Sequence, residues 1–256
     1  MVTSMTLAFF ALACIFGGAL LGMALRALLP EHHLSSESKD AVKLGTGMIA
    51  TLAALVLGLL IASAKGTFDT MTNELRQTGS KIMLLDRAMA QYGPETKEAR
   101  DFLRSAVASA LQRIWPEETN TVVVATVRQS SGDSVEVLQD KLRQLSPQND
   151  SQRWLQSRAL QLSADIAEAR ALLAEQVGQT SLPKPFLVIL ILWLIVIFAS
   201  FGMFSTRNAT VIIAFFICAL SVAGSLYLIL ELDQPYHGLI KISSAPLREA
   251  LAHMGQ

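Results

Sequence analysis

Four apolar runs, residues 5–25, 45–64, 186–205 and 209–230, stand in two pairs around a polar stretch of more than a hundred residues. Each run is long enough for one helix to cross a hydrocarbon core about 30 Å thick. The pattern predicts an all-α integral membrane protein with four transmembrane helices in two pairs. The first pair lies within residues 1–65, with spans at about 5–25 and 45–64. The second lies within 185–230, with spans at about 186–205 and 209–230. A helical insert, 66–184, separates the pairs, and a segment of 231–256 follows the last span.

Inside the insert the apolar positions repeat with helical spacing. Residues 67–92 carry Leu75, Thr78, Ile82, Leu85, Met89 and Tyr92, in steps of 3, 4, 3, 4 and 3, and Gly93-Pro94 stops the pattern. Such steps lay one stripe along a helix of coiled-coil type. Residues 95–115 continue with Leu103, Val107, Ala110 and Ile114. Residues 133–145 offer Val135, Leu138, Leu142 and Leu145, and 149–177 offer Leu155, Ala159, Leu162, Ile166, Ala169 and Leu173. Four amphipathic helices of this kind can bury one another's stripes as a bundle. The β-branched run at 121–127 has no strand partner and is expected as a loop, or as helix under tertiary packing.

No proline separates the second span from the first insert helix. One helix from about residue 46 to 92 is therefore expected, roughly 70 Å long. Residues 150–184 are expected to return the same way, with Pro183 and Pro185 bending the chain into the third span. The insert is then a stalk joined to the membrane spans, not a tethered independent domain.

Composition narrows the functional classes. Of 256 residues 52% are hydrophobic, and 21 Lys and Arg balance 21 Asp and Glu. No block of one sign suggests a nucleic-acid partner. Cys14 and Cys218 both fall in apolar runs and give no disulfide framework. Nothing before Arg26 is charged in the first run, and its apolar length exceeds that of a signal peptide, so it reads as a retained signal-anchor helix. An even number of spans puts both termini and the insert on one side. That side carries Lys65, Arg76, Lys81, Arg170, Lys184, Lys241 and Arg248 near the membrane, against Arg26, Lys39, Lys43 and Arg207 on the other. Seven against four places the insert and the termini in the cytoplasm.

Enzyme chemistry finds no constellation, so no catalytic residue, cofactor or metal site is assigned. His32 and His33 are adjacent and point to different faces, which suits a metal poorly. Glu117-Glu118 fall short of the roughly six oxygens that calcium takes. No ionisable residue lies in the inner two-thirds of any span, which argues against a proton-coupled transporter. It leaves room for a channel with a hydrophobic constriction. Charges gather at the span ends, at Arg26, Lys65, Arg207, Glu231 and Asp233, where snorkelling to the interface explains them.

The second span carries Thr46, Ala50, Ala54, Gly58, Ala62 and Gly66 at every fourth position, and the first span carries Gly18-x-x-x-Gly22. Small-residue strips let helices approach closely in lipid. Contact between spans one and two is the plain reading. The sharper one puts the Ala50/Ala54 face or the Val56/Leu60 face around the axis of an oligomeric pore. The candidates for pore lining or helix packing are Ala50, Ala54, Val56, Gly58, Leu60 and Ala62. After the fourth span, Glu231, Asp233, Pro235, Tyr236 and Gly238 form a candidate membrane-exit motif. Leu239, Ile240, Ile242, Leu247 and Leu251 make the tail too apolar for disorder, so it is expected to pack on the stalk or a neighbouring subunit. Ser243 or Ser244 is available there to cap a short helix.

Three stretches carry a resemblance to the bestrophin-like domain family of membrane proteins. They are Leu57-Gly58-Leu59-Leu60-Ile61-Ala62-Ser63-Ala64 running into Phe68-Asp69, Ser200-Phe201-Gly202-Met203-Phe204 with Arg207-Asn208, and Leu232-Asp233-x-Pro235-Tyr236-x-Gly238 followed by Ile242-Ser243. The family pattern usually has Phe at the place of Tyr236. The resemblance implies a homo-oligomeric ion channel, pentameric in bestrophins, with four spans per subunit, a cytoplasmic helical region and a pore lined by the second span. The second span here has no aromatic residue between positions 45 and 64, and no acid run resembles the bestrophin calcium clasp. No neck, filter or calcium residue is therefore carried over. Partners follow from the same reading: the lipid bilayer and further copies of the chain. The alternative is a non-conducting scaffold or sensor whose stalk binds cytoplasmic proteins.

Overall fold

The computed structural model describes residues 2–28, 36–116, 134–178, 184–236 and 238–254. Eight α-helices account for nearly all of these residues. They are α1 (Val2–Leu28), α2 (Ser36–Tyr92), α3 (Lys97–Ile114), α4 (Ser134–Arg143), α5 (Asp150–Gly178), α6 (Lys184–Phe204), α7 (Ala209–Leu232) and α8 (Ala245–His253). No strand occurs among the described residues. The run at 121–127 and Pro183 lie outside them. Four helices contain stretches long and apolar enough to cross a membrane: Ser4–Arg26, Lys39–Tyr92, Pro185–Phe204 and Ala209–Leu232.

α2 begins ten residues before the expected start. Positions 36–44 contain no glycine or proline, so nothing there breaks the helix before Gly45. At 57 residues α2 is about 85 Å long. Its hydroxyl residues bond back to the preceding turn, as Thr51 does to Gly47 O at 3.0 Å and Thr78 to Glu74 O at 2.8 Å. That pairing satisfies polar groups without leaving the helix.

The chain forms two compact units, Met1–Phe68 with Thr180–Lys241, and Asp69–Gln179 with Ile242–Gln256. The first, apolar unit has its core at Ala11, Ile15 and Ala19 of α1, Ala53, Leu60 and Ala64 of α2, Leu190, Leu194 and Phe198 of α6, and Ala219, Leu226 and Ile229 of α7. Phe16 meets Phe216 edge-on at 5.4 Å between ring centroids. One buried layer thus draws on all four apolar helices.

In the second, polar unit the stripe from Leu75 to Tyr92 is buried at every position, at 5% exposure or less. Gly93, with φ 137, ends α2, and Thr96 Oγ1 donates to the carbonyls of Met89 and Gly93 at 2.6 and 2.8 Å. α5 runs antiparallel to this part of α2, since Gln152 Nε2 reaches Tyr92 O at 3.1 Å and Lys81 meets Asp165 at 3.7 Å. The buried line of α3 departs from the expected one: it is Ala99, Leu103, Val107 and Leu111, while Ala110 is half-buried and Ile114 is exposed. Trp115 explains the shift. It takes the place below Leu111, 3% exposed, and its Nε1 donates to Ile242 O at 3.0 Å.

That bond also fixes where the C-terminal segment goes. Ile242, Leu247, Ala250 and Met254 are buried, and the backbone passes so close to Gly79 that a Cβ there would sit 2.8 Å from Pro246 O. Residues up to Lys241 belong to the apolar unit and the remainder to the polar unit. Ser244 occupies the N-cap position of α8 without a side-chain cap, while Ser243 Oγ accepts the Ala245 N–H at 3.2 Å.

Candidate functional site

The candidate positions on α2 divide between two faces. Successive residues turn about 100° around a helix, so positions 53, 57, 60 and 64 share a face that 54, 58 and 62 do not. Ala53, Leu60 and Ala64 sink into the apolar core, with Ile49, Ala50, Val56 and Leu57 packed against it. Ala54, Gly58 and Ala62 remain exposed, and a Cβ on Gly58 would meet nothing within 4 Å. Leu60 is thus a packing residue within its own chain, Ala50 and Val56 flank it, and the other three form an outward line of small side chains. Leu44, Met48, Leu52, Leu55 and Leu59 expose a bulkier apolar line beside it.

Close helix approach is found between α1 and α6, not through the small residues of α2. A Cβ on Gly18 would lie 3.1 Å from Ile195 O, and one on Gly22 would overlap the Ala199 carbonyl. From the other side, a Cβ on Gly202 would overlap the Ala19 carbonyl. The paired positions advance together, so α1 and α6 run parallel. Two arginines close the same end of this seam. Arg26 Nη1 donates to Ser205 O, and Arg207 donates through Nε and Nη2 to Met23 O at 3.3 and 3.0 Å. Each cation therefore adds a hydrogen bond to a carbonyl near the C-terminal end of the other helix, where the dipole is negative. The sequence marks these arginines only as span-end charges, because the carbonyl each one serves is about 180 positions away. Asn208 begins the next helix as its N-cap, its side chain accepting the Thr210 N–H at 3.4 Å.

The exit motif forms one local structure at the end of α7. The Asp233 N–H bonds Ile229 O at 3.1 Å, and the Gln234 N–H bonds Glu231 O at 3.1 Å. Pro235 is buried, and Asp233 and Tyr236 are half-buried. The Glu231 side chain is 1% exposed and accepts the Leu239 N–H. Gly238 lies against that carboxylate with φ 109, a backbone shape that side chains disfavour. The motif's glycine and acid are therefore halves of one turn. His237 lies outside the described residues.

Among the described residues no group of three or more His, Cys, Asp or Glu is placed to hold a metal. His32, His33, Glu117 and Glu118 lie outside them. In the polar unit the principal electrostatic feature is a fork: Arg100 donates to both Asp86 oxygens at 2.8 and 2.9 Å. That bond raises the guanidinium's pKa and holds α3 to α2. Burial, with Arg113 nearby, lowers the pKa of Arg170, whose Nη1 donates to Ser134 Oγ at 2.9 Å.

A family model described as the bestrophin-like domain matches residues 13–247. No curated protein matches the chain. Among solved structures, the crystal structure of a mutated bacterial bestrophin homologue from Klebsiella pneumoniae is similar, with a TM-score of 0.68 at 14% identity. The similarity covers 97% of this chain and 99% of that one, so the fold is shared from end to end.

Proposed function

The chain belongs to the bestrophin-like domain family, and from that membership we propose that it is one subunit of a homo-oligomeric ion channel, a pentamer, with α2 lining the pore. The observation that carries the reading is how little of α2 its own chain covers. Leu44, Met48, Leu52, Leu55 and Leu59 are each at least 50% exposed, and Ala54, Gly58 and Ala62 are exposed beside them. The line of Ala54, Gly58 and Ala62 faces the axis in this reading, where small side chains leave room for hydrated ions. The bulkier line of Leu52, Leu55 and Leu59 faces lipid. Ala50, Val56 and Leu60 serve helix packing. The absence of ionisable groups along the spans suits passive permeation better than coupled transport.

In the same proposal the protein sits in a bacterial inner membrane with four spans. Residues 1–65 and 185–230 supply the spans, and both termini and the 66–184 insert are cytoplasmic. The seven-to-four balance of flanking basic residues supports that orientation. The parallel course of α1 and α6 supports the count of four spans, because first and third spans must cross in the same direction. The protein is read as a channel and not an enzyme. Purified protein in liposomes is expected to pass small ions, and its native mass is expected to be that of five chains. A monomeric particle, or liposomes that hold an ion gradient as tightly as empty ones, would refute the proposal.

A further inference from the structure

We propose that Arg26 and Arg207 form a binding site for the phosphate of an anionic phospholipid at the shared C-terminal end of α1 and α6. Simple interfacial anchoring would send both side chains out towards water. Instead each guanidinium turns onto a backbone carbonyl of the neighbouring helix, Arg26 onto Ser205 and Arg207 onto Met23. These bonds use one N–H-bearing nitrogen of Arg26 and two of Arg207, which leaves most of their donors for a further acceptor.

Charge points to an anion. The two helix C-termini contribute roughly half a negative charge each, so two guanidinium groups leave about one positive charge in excess. Among the described residues no carboxylate lies within ion-pair distance of either arginine. The guanidinium fork matches phosphate oxygens in geometry as well as charge. The groups are also held in advance. Arg26 is half-buried on the glycine seam, and Arg207 sits in a four-residue connection closed by the Asn208 N–H to Thr206 O at 2.9 Å. Little ordering then remains for binding to impose.

The surroundings favour a lipid over a free ion. Arg26 ends the apolar stretch Ser4–Arg26, and Arg207 joins the stretches Pro185–Phe204 and Ala209–Leu232, so both stand at the level where the phosphates of a bilayer lie. The inference needs the apolar unit to lie in a bilayer, but it does not need the protein to conduct.

The test uses the full-length protein in nanodiscs of phosphatidylcholine and phosphatidylglycerol, with retained lipid counted by native mass spectrometry. Phosphatidylglycerol is expected to be retained about tenfold in preference, as one charge-assisted hydrogen-bond pair supplies. The preference is expected to vanish in Arg26→Gln and Arg207→Gln and to survive in Lys43→Gln. Preference unchanged in the folded arginine variants would overturn the site. If those variants do not fold, the wild-type protein decides alone, since equal retention of the two lipids overturns the proposal. Displacement of phosphatidylglycerol by inorganic phosphate at equal concentration would overturn the assignment to lipid.

Discussion

Gly238 packs its backbone against the buried carboxylate of Glu231, and that single contact sets the turn by which the chain leaves the fourth apolar helix. The positive φ of Gly238 and the Leu239 N–H bond to Glu231 depend on one another. Gly238→Ala adds a Cβ into the carboxylate and is expected to cost about 2–4 kcal/mol. Glu231→Ala strands the Leu239 N–H and is expected to cost about 1–3 kcal/mol. Thermal unfolding of the detergent-solubilised protein checks both. The double variant should cost less than the sum, because the two changes break one structure.

The glycine seam predicts a contrast between residues of the same type. Gly22→Ala and Gly202→Ala each push a Cβ into a facing carbonyl, and each is expected to lower stability by about 1–3 kcal/mol. Gly17→Ala and Gly58→Ala meet nothing within 4 Å, and alanine's helix propensity makes them neutral or stabilising by up to about 1 kcal/mol. Melting temperatures of the four variants, measured side by side, test the ordering.

Asp86 and Arg100 are 9% and 25% exposed at the side chain. Arg100→Ala leaves a nearly buried carboxylate without its fork and is expected to cost about 2–3 kcal/mol. This is less than a fully buried pair because solvent still reaches the guanidinium. Removing both partners together should cost less than Arg100→Ala alone, which a double-mutant cycle on thermal stability measures.

Trp115 holds the C-terminal segment by its indole N–H. Trp115→Phe keeps most of the volume and is expected to lose about 1 kcal/mol. Trp115→Ala opens a cavity and is expected to lose about 3–5 kcal/mol. Faster proteolysis of residues 242–256 in the alanine variant, compared with the phenylalanine one, is the accompanying readout.

The two faces of α2 give a chemical test of the proposed pore. In a background without Cys14 and Cys218, cysteine at Ala54 or Ala62 is expected to react with a water-soluble thiol reagent and to reduce ion flux. Cysteine at Ala53, which is 3% exposed, is expected to stay unreactive. Equal labelling at 53 and 54 would refute the assigned face.

Much of the helical framework was legible from the sequence because its causes are local. Apolar runs of span length, the 3–4 steps from Leu75 to Tyr92, and the Gly93-Pro94 stop each depend on neighbours a few residues away. Partner choice was not legible. Gly18-x-x-x-Gly22 and Ala54-x-x-x-Gly58 are the same kind of strip, yet only the first meets a facing backbone. Small side chains permit close approach without saying what approaches.

The exit motif shows the same division. The sequence singled out Glu231, Asp233, Pro235, Tyr236 and Gly238 as an unusual cluster, but not the contact between the first and the last of them. Buried lines also shifted where a distant residue competed. In α3 the register went to Leu111 and Trp115, over Ala110 and Ile114, because Ile242, 127 positions after Trp115, offers its carbonyl to the indole. By itself the sequence determined that the four apolar runs are helical, that α2 stops at Gly93-Pro94, and that no charge lies within the apolar runs. Only tertiary structure decided that α1 pairs with α6, that Leu60 turns inward while Ala54 turns outward, and that the C-terminal segment divides at Lys241. Those outcomes depend on shape and hydrogen-bond complementarity between residues far apart in the chain, which no local periodicity encodes.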